Sequence, residues 1–274
     1  KMLALYEPVD GKIPLDEVAD KVVLTKFETR IAAQEMDAHA VDLPEEVSKQ
    51  IRDYVGAIAQ MYRNNPFHNF EHACHVTMSV VKLLKRIVTP DLDVEDFKSS
   101  DIASKLHDYT YGMTSDPIAT LAIIFSALIH DVDHRGISNV QLAKEEPEMT
   151  NTYRTKSIAE QNSLDVAWNI LMQHKYNSLR AHMFADHEDL DHFRQVAVNV
   201  VLATDIFDKE LNELRTNRWN RAFSSSADND NRERPDDSDL KATIVIEHII
   251  QASDVAHTMQ HWHIYRRWNE RLFM

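Results

Sequence analysis

The chain has 274 residues and a formal net charge of −14, because 44 aspartates and glutamates outnumber 30 lysines and arginines. This charge disfavours nonspecific binding to nucleic acid or to anionic membranes, so an anionic substrate would need a local positive centre such as a metal ion. The one cysteine, Cys74, excludes an internal disulfide framework and fits a reducing compartment, and the longest apolar run, residues 118–129, is too short to span a bilayer.

Helical periodicity dominates the sequence, and its four glycines are too few for the many turns of a β sandwich. The pattern predicts one helix after Pro44, one after Asp116, and others around residues 19–38, 70–88, 157–173, 192–206, 240–257 and 259–274. We therefore predict one all-α domain over residues 1–274.

The stretch SDPIATLAIIFSALIH contains the most apolar of these helices. Asp116 is suited to be its N-cap and Pro117 its first residue, and the nearly unbroken apolar face predicts that this helix forms the centre of the core. By contrast, residues 224–239 contain one apolar residue, Ala227, which predicts a mobile surface insertion. The chain starts without methionine and stops inside a helical pattern, so we interpret it as a fragment of a longer chain, truncated at its C-terminus.

Candidate metal ligands interrupt the apolar helices. His68 and His72 are four residues apart, a spacing that would place them on one helix face, while His130 and Asp131 end the most apolar run and Asp254 follows another apolar stripe. A buried carboxylate is costly unless it is compensated, for example by a metal ion. His72, His130, Asp131 and Asp254 would form a set suited to zinc or another divalent ion. Spacing alone leaves scattered structural histidines equally open.

Three motifs recur together in a known family: H-N-x-x-H-A at residues 68–73, HDVDH at 130–134 and ASDVAH at 252–257. Together with VLATDIF at 201–207, they resemble the catalytic core of the class I cyclic-nucleotide phosphodiesterases, which belong to the HD superfamily of metal phosphohydrolases. The resemblance runs from about Pro66 to the end of the chain. It implies a compact multi-helix HD-type metal phosphohydrolase domain.

The resemblance also implies a mechanism. His72, His130, Asp131 and Asp254 would hold zinc, and Asp131 would also bind a second ion, usually magnesium or manganese. A hydroxide shared by the two ions would attack phosphorus, and His68 would donate a proton to the departing 3′ oxygen as the general acid.

Further site residues follow from the same resemblance. His134 and Glu160 would steady metal-bound water, Thr204 and Asp205 would lie close to the metal–water network, and His257 would lie near the nucleotide base.

The sequence departs from the family pattern in three places, one of which is Phe67, where a tyrosine is frequent. His75 stands where many members have aspartate, and we interpret it as a structural or exposed residue. Residues 161–163 are Gln-Asn-Ser where members often have Asn-His-His, which leaves the role of Glu160 open. Trp262 and Trp268 lie outside these motifs and are predicted to pack in the core, and His192 is interpreted as solvated.

The function predicted from the resemblance is hydrolysis of a 3′,5′-cyclic nucleotide to the 5′-monophosphate, with no choice between cAMP and cGMP. The alternatives are another HD-type nucleotide phosphohydrolase and a metal-stabilised module that binds nucleotide without turnover. We expect a cytoplasmic domain, which could be the cytosolic part of a membrane-attached protein, with regulatory domains elsewhere in the longer chain. Because family members complete the base pocket with later helices, we expect weak and unselective activity from this fragment.

Overall fold

Twelve α-helices make up most of the part of the chain that the structure describes, namely residues 12–25, 42–88, 99–223 and 235–273 of a computed structural model. No strand occurs in these ranges, which confirms the all-α prediction. The helices are α1 (Glu45–Met61), α2 (Phe70–Val88), α3 (Ser99–Tyr109), α4 (Pro117–Ile129), α5 (Asn139–Glu145), α6 (Pro147–Tyr153), α7 (Ile158–Leu171), α8 (Asn177–Met183), α9 (His187–Leu202), α10 (Lys209–Phe223), α11 (Pro235–Asp254) and α12 (Trp262–Leu272).

Helix α4 lies at the centre of the core, between α2 and α9, as its apolar sequence predicts. Ile123 and Ile129 on this helix are almost completely buried. Aromatic residues from three other helices extend the core around α4, and the Phe125 ring lies 5.1 Å from that of Phe193 on α9. Each fully buried large apolar side chain contributes about 1.5–3 kcal/mol to the free energy of unfolding, so this layer is the main source of stability.

Asp116 caps α4 as predicted, and it also joins three parts of the chain. Its carboxylate accepts hydrogen bonds from the backbone N–H of Ala119 at 2.7 Å, from the backbone and hydroxyl of Thr25 at 2.9 Å, and from the His192 ring at 2.7 Å. The interpretation of His192 as a solvated residue was therefore wrong. Burial alone would raise the pKa of Asp116, but the hydrogen bonds from His192, Ala119 and Thr25 outweigh burial and hold this pKa below its ordinary value.

We expect Asp116→Ala to lower the free energy of unfolding at pH 7 by about 2–4 kcal/mol, because it removes an N-cap and leaves buried donors unsatisfied. Since the folded-state pKa lies below the unfolded one, the stabilisation is complete above the ordinary pKa of about 4 and is lost as the pH falls through the folded-state value. Urea unfolding at several pH values measures both effects. Asp186→Ala is the control, since this exposed residue caps α9 with fewer partners, and its cost should stay near 1 kcal/mol.

Several predicted boundaries were wrong. Residues 19–25 form no helix, although residues 19–38 were predicted as one, and residues 26–38 lie outside the described ranges. Helix α11 starts at Pro235 and so includes the end of the predicted insertion at 224–239, whose residues 224–234 lie outside the described ranges. Helices α3, α5, α6, α8 and α10 were not predicted. Within the described chain, no helix has the length and apolar character needed to cross a membrane.

Candidate metal centre

A turn before α2 and the first residues of α2 itself present the first two site histidines, His68 and His72. Asn65 accepts hydrogen bonds through its side chain from the backbone N–H groups of Phe67 and His68, both at 3.0 Å, and Asn69 accepts one from the backbone of His72. Helix α2 begins only at Phe70, so His68 lies in the turn and not on the same helix face as His72, contrary to our prediction. The two rings nevertheless lie 6.4 Å apart, and both face the same site.

A second turn, after α4, presents His130 and Asp131. The Ser163 hydroxyl donates to the Val132 carbonyl at 2.7 Å, and Arg63 donates to the Asp133 carboxylate at 2.7 Å, which fixes the turn from both sides. These contacts hold in place the two groups that end the most apolar helix of the core.

Gly136 follows the second turn and brings it against the first. Its φ is +77°, a backbone conformation that favours glycine, and a Cβ added here would lie 2.3 Å from Asn65 Nδ2, so the Asn65 side chain would also have to shift. The Gly136 N–H donates to Nδ1 of His134 at 2.9 Å, which leaves the proton of the neutral ring on Nε2. Burial lowers the pKa of His134, which favours this neutral form. The ring therefore offers an N–H donor to the site.

Four side chains from three helix ends converge at the centre. Nε2 of His72 lies 2.9 Å from Asp254 Oδ1 and 3.7 Å from Asp131 Oδ2, and Nε2 of His130 lies 3.5 Å and 3.3 Å from the same two oxygens. His72 and His130 are buried, and Asp254 is the last residue of α11. Two imidazole nitrogens and two carboxylate oxygens at this separation form a donor set of the kind that binds zinc.

The tautomer of His130 and the negative charge of the two aspartates beside it also fit a metal ion. Nδ1–H of His130 donates to the Ala127 carbonyl at 3.0 Å, which leaves the Nε2 lone pair free, and both Nε2 of His130 and Oδ2 of Asp131 are buried without a hydrogen-bond partner. Burial alone would lower the pKa of His130, but the carboxylates of Asp131 and Asp254 outweigh burial and raise this pKa well above its ordinary value. A proton held by this cluster would be displaced by a divalent ion.

A second group of imidazole and carboxylate side chains adjoins the first. Donor atoms of His68, Asp131 and His134 lie within 4.8 Å of one another, and the rings of His68 and His134 stack with their centroids 3.9 Å apart. Asp131 thus lies between the two groups and could bind an ion on either side. Burial lowers the pKa of His68 to about 4, although the charge of Asp131 opposes this shift.

Glu160 and Asp205 meet beside this second group. Glu160 lies in the first turn of α7, and Asp205 follows α9; burial and the charge of Asp205 raise the pKa of Glu160 to about 7. Asn139, which the sequence analysis missed, donates to both carboxylates. The local sequence offered a signal only for the residue before it: Ser138 is a favoured N-cap residue, and it caps α5.

The remaining site candidates lie at the edges. Thr204 donates its hydroxyl to the Val201 carbonyl at 2.7 Å, so the hydroxyl keeps only acceptor capacity for the site. His257 lies against Phe67, with ring centroids 5.5 Å apart, and burial lowers its pKa. Its nearness to a nucleotide base stays a prediction.

The departures from the family pattern have clear places in the fold. His75 is exposed and contacts Trp268 at a centroid distance of 5.2 Å, outside both ligand groups. Gln161 is buried and donates to the Tyr153 and Lys156 carbonyls, so it tightens the turn before α7. Trp268 packs as predicted, whereas Trp262 is 70% exposed and the prediction for it was wrong.

An open groove of about 500 Å³ adjoins the candidate metal ligands His72 and Asp254. It runs between α2 and α12, where Trp268 forms part of its wall and Lys82 and Arg86 line it further along α2. A cavity of this size is within the ordinary range for small-molecule sites.

Comparison with known proteins identifies the family. Residues 67–274 match the family model of the 3′5′-cyclic nucleotide phosphodiesterases, a range that contains all the candidate site residues. The chain is 25% identical over 227 residues to the probable 3′,5′-cyclic-AMP phosphodiesterase pde-4 of Caenorhabditis elegans, covering 80% of this chain and 28% of that protein. It is 27% identical over 221 residues to the cGMP-specific 3′,5′-cGMP phosphodiesterase 3 of Dictyostelium discoideum, covering 75% of this chain and 42% of that protein.

The fold agrees with this match. The crystal structure of the phosphodiesterase domain of the Salpingoeca rosetta rhodopsin phosphodiesterase superposes with a TM-score of 0.60 at 19% identity, over 89% of this chain and 64% of that one. The chain spans less than half the length of the two curated relatives named above. Because the family model covers well over half of the chain, the chain belongs to the 3′5′-cyclic nucleotide phosphodiesterase family.

Proposed function

We propose that this chain hydrolyses the cyclic phosphodiester of a 3′,5′-cyclic nucleotide, cAMP, cGMP or both, to the 5′-monophosphate. The observation that carries this proposal is the convergence of two histidines and two aspartates beside a third histidine, inside the region that matches the family. The names of the relatives support the substrate class, since one is a probable cyclic-AMP enzyme and another is cGMP-specific.

His72, His130, Asp131 and Asp254 would hold zinc, and Asp131 would also bind magnesium or manganese on the side of His68 and His134. Two ions held in this way would supply Lewis acidity at the phosphate and would lower the pKa of coordinated water toward about 7, so that hydroxide would be available as the nucleophile. In the overall reaction, water supplies oxygen to phosphorus, the bond from phosphorus to O3′ breaks, and O3′ gains a proton.

His68 is the proposed donor of that proton. In the protein without substrate its ring is mostly neutral at pH 7, because burial lowers its pKa to about 4. An anionic phosphate within about 4–6 Å favours the charged form of a histidine, so substrate binding would raise this pKa and load the ring with a proton. His134, stacked on His68, would donate its Nε2–H to water in the site. Glu160, Thr204 and Asp205 would complete this polar shell, and His257 would contact the base.

The site's setting in a larger protein is also part of the proposal. We infer a cytoplasmic domain whose activity is controlled by regulatory domains elsewhere in the longer chain, as the greater length of the relatives suggests.

The test is a side-by-side assay of cAMP and cGMP with the zinc-loaded protein in magnesium or manganese. We expect one 5′-monophosphate per substrate consumed, oxygen-18 from labelled water in the product phosphate, and a loss of about 10²-fold or more after chelation. The ratio of kcat/KM for the two substrates gives the selectivity. Absence of turnover with every metal combination, or a 3′-monophosphate product, would contradict the proposal.

A further inference from the structure

Asn139 is the one side chain among the described residues whose hydrogen bonds join Glu160 to Asp205. Its Nδ2 donates to Glu160 Oε2 at 2.9 Å and to Asp205 Oδ2 at 3.1 Å, while its Oδ1 accepts from the backbone N–H of Ala159 at 2.9 Å. Both N–H donors of this amide and one acceptor position on its oxygen are thereby used, so the orientation of the side chain is fixed.

The start of α7 explains why a residue from another helix is needed. Ser157, the N-cap residue, has the left-handed conformation with a φ of +42° and makes no capping hydrogen bond with its side chain. Its hydroxyl instead donates to Asp205 Oδ2 at 2.8 Å. The first turn of α7 would therefore lack a side-chain cap, and Asn139 supplies it through Ala159. The helix end that carries Glu160 is consequently tied to Asp205 through both Ser157 and Asn139.

The contacts made by Asn139 matter because they offset repulsion between neighbouring carboxylates. Glu160 and Asp205 come from different elements, and Asp131 adds a third carboxylate nearby, so like charges would drive the three apart. The Asn139 amide is neutral and offers two N–H donors, which suits it to bind two carboxylates at once. The other carboxylate oxygen of Asp205 is also held in place, because Oδ1 accepts hydrogen bonds from the backbone N–H groups of Phe207 and Asp208.

We propose that Asn139 is a positioning residue that holds Glu160 and Asp205 in one arrangement, facing the side of Asp131 where the second metal ion would bind. Hydrogen-bond partners outside a metal's own ligands typically change its affinity by 10–100-fold. The zinc side of the centre is independent of Asn139, because His72, His130 and Asp254 reach it from other helix ends. This inference rests on the proposed function for its bearing on catalysis, but its geometry can be tested separately.

The experiment measures manganese binding to the zinc-loaded protein by the electron paramagnetic resonance signal of free Mn²⁺. For Asn139→Ala we expect a Kd that is about 10–100-fold higher, with zinc content unchanged and kcat lowered more than KM is raised. The matched control is Asn162→Ala, which removes a side-chain amide of α7 that also donates to a carboxylate, that of Asp133, at 3.1 Å. Its manganese Kd and kcat should stay within about twofold of the parent, since Asp133 faces Arg63 and not the centre.

A second variant covers the case in which Asn139→Ala does not fold. Ser157→Ala leaves the Asn139–Ala159 cap in place and removes one donor to Asp205, so we expect a manganese Kd a few-fold higher and a normal unfolding transition. A manganese Kd within twofold of the parent in the folded Asn139 variant, or in Ser157→Ala when the first cannot be measured, would overturn the inference, as would a parent that binds no manganese. If manganese binding weakens as expected while the parent hydrolyses no cyclic nucleotide, the positioning role stands and the proposed function fails.

Discussion

Asp254→Ala is expected to bind less than about a tenth of the zinc of the parent protein and to lose cyclic-nucleotide hydrolysis. The aspartate is one of only four candidate zinc ligands, and its Oδ1 lies 2.9 Å from His72 and 3.5 Å from His130. Its removal leaves only the two histidine rings and Asp131 as candidate ligands, which is one fewer than the four proposed for the zinc ion. Elemental analysis of the purified variant gives the zinc content per chain.

The same variant should also be less stable. Truncating one member of a buried charged group costs about 3–5 kcal/mol, because the remaining charges stay buried without compensation. Asp133→Asn is the matched control: it lies two residues after Asp131, has a φ of +61° that asparagine tolerates, and pairs with Arg63 outside the centre. We expect the control to retain zinc and activity. A full zinc complement in Asp254→Ala would refute the proposed set of ligands.

His68→Ala should have a different effect, a fall in kcat of about 10²–10⁴-fold with zinc retained. The ring belongs to the group with Asp131 and His134 and not to the group with His72, His130 and Asp254, so its removal spares the zinc set. The measurement is kcat for the cyclic nucleotide, with zinc content and melting temperature determined on the same sample.

A substrate with a good leaving group separates proton donation from other roles. A 4-nitrophenyl phosphodiester needs little protonation of its leaving oxygen, so the His68 variant should lose much less rate on it than on the cyclic nucleotide. His75→Ala is the control for removing a histidine from the same region, since this exposed ring contacts Trp268 and not the centre. Equal losses of rate on both substrates would show that His68 does not act as the general acid.

The sequence predicted the core from a local pattern, whereas the polar cluster was predicted from the resemblance to the phosphodiesterases, since spacing alone left scattered structural histidines equally open. An apolar helix with Asp116 before it and His130 after it signals both a buried element and an abrupt change to polar groups, and the structure places these residues accordingly. The structure also brings His72, Asp131 and Asp254 together, although their roles as metal ligands stay predictions.

Features that depend on contacts between distant elements could not be predicted in this way. Residues 19–25 have helical periodicity, yet their backbone groups bind side chains of other helices: Ala19 N–H donates to Asn199 at 3.0 Å, and Val22 N–H donates to Thr243 at 2.9 Å. These tertiary hydrogen bonds outweigh a weak local preference. The contacts of Asn139 were missed for the same reason, since its three partners lie 20, 21 and 66 residues away.

The segment at residues 12–25, which contains a short 3-10 helix at Pro14–Glu17, limits where a shortened version of this protein could start. The family match begins at residue 67, but Leu15 N–H binds the buried Gln161 side chain at 3.1 Å, and the Ala19 carbonyl accepts from Asn199. A chain cut at the family boundary would deprive these interior amides of partners and expose the apolar surface beneath them. The unit that folds therefore reaches at least 50 residues upstream of the part that carries the family's motifs, and expression from residue 67 should yield aggregated protein although every candidate metal ligand is still present.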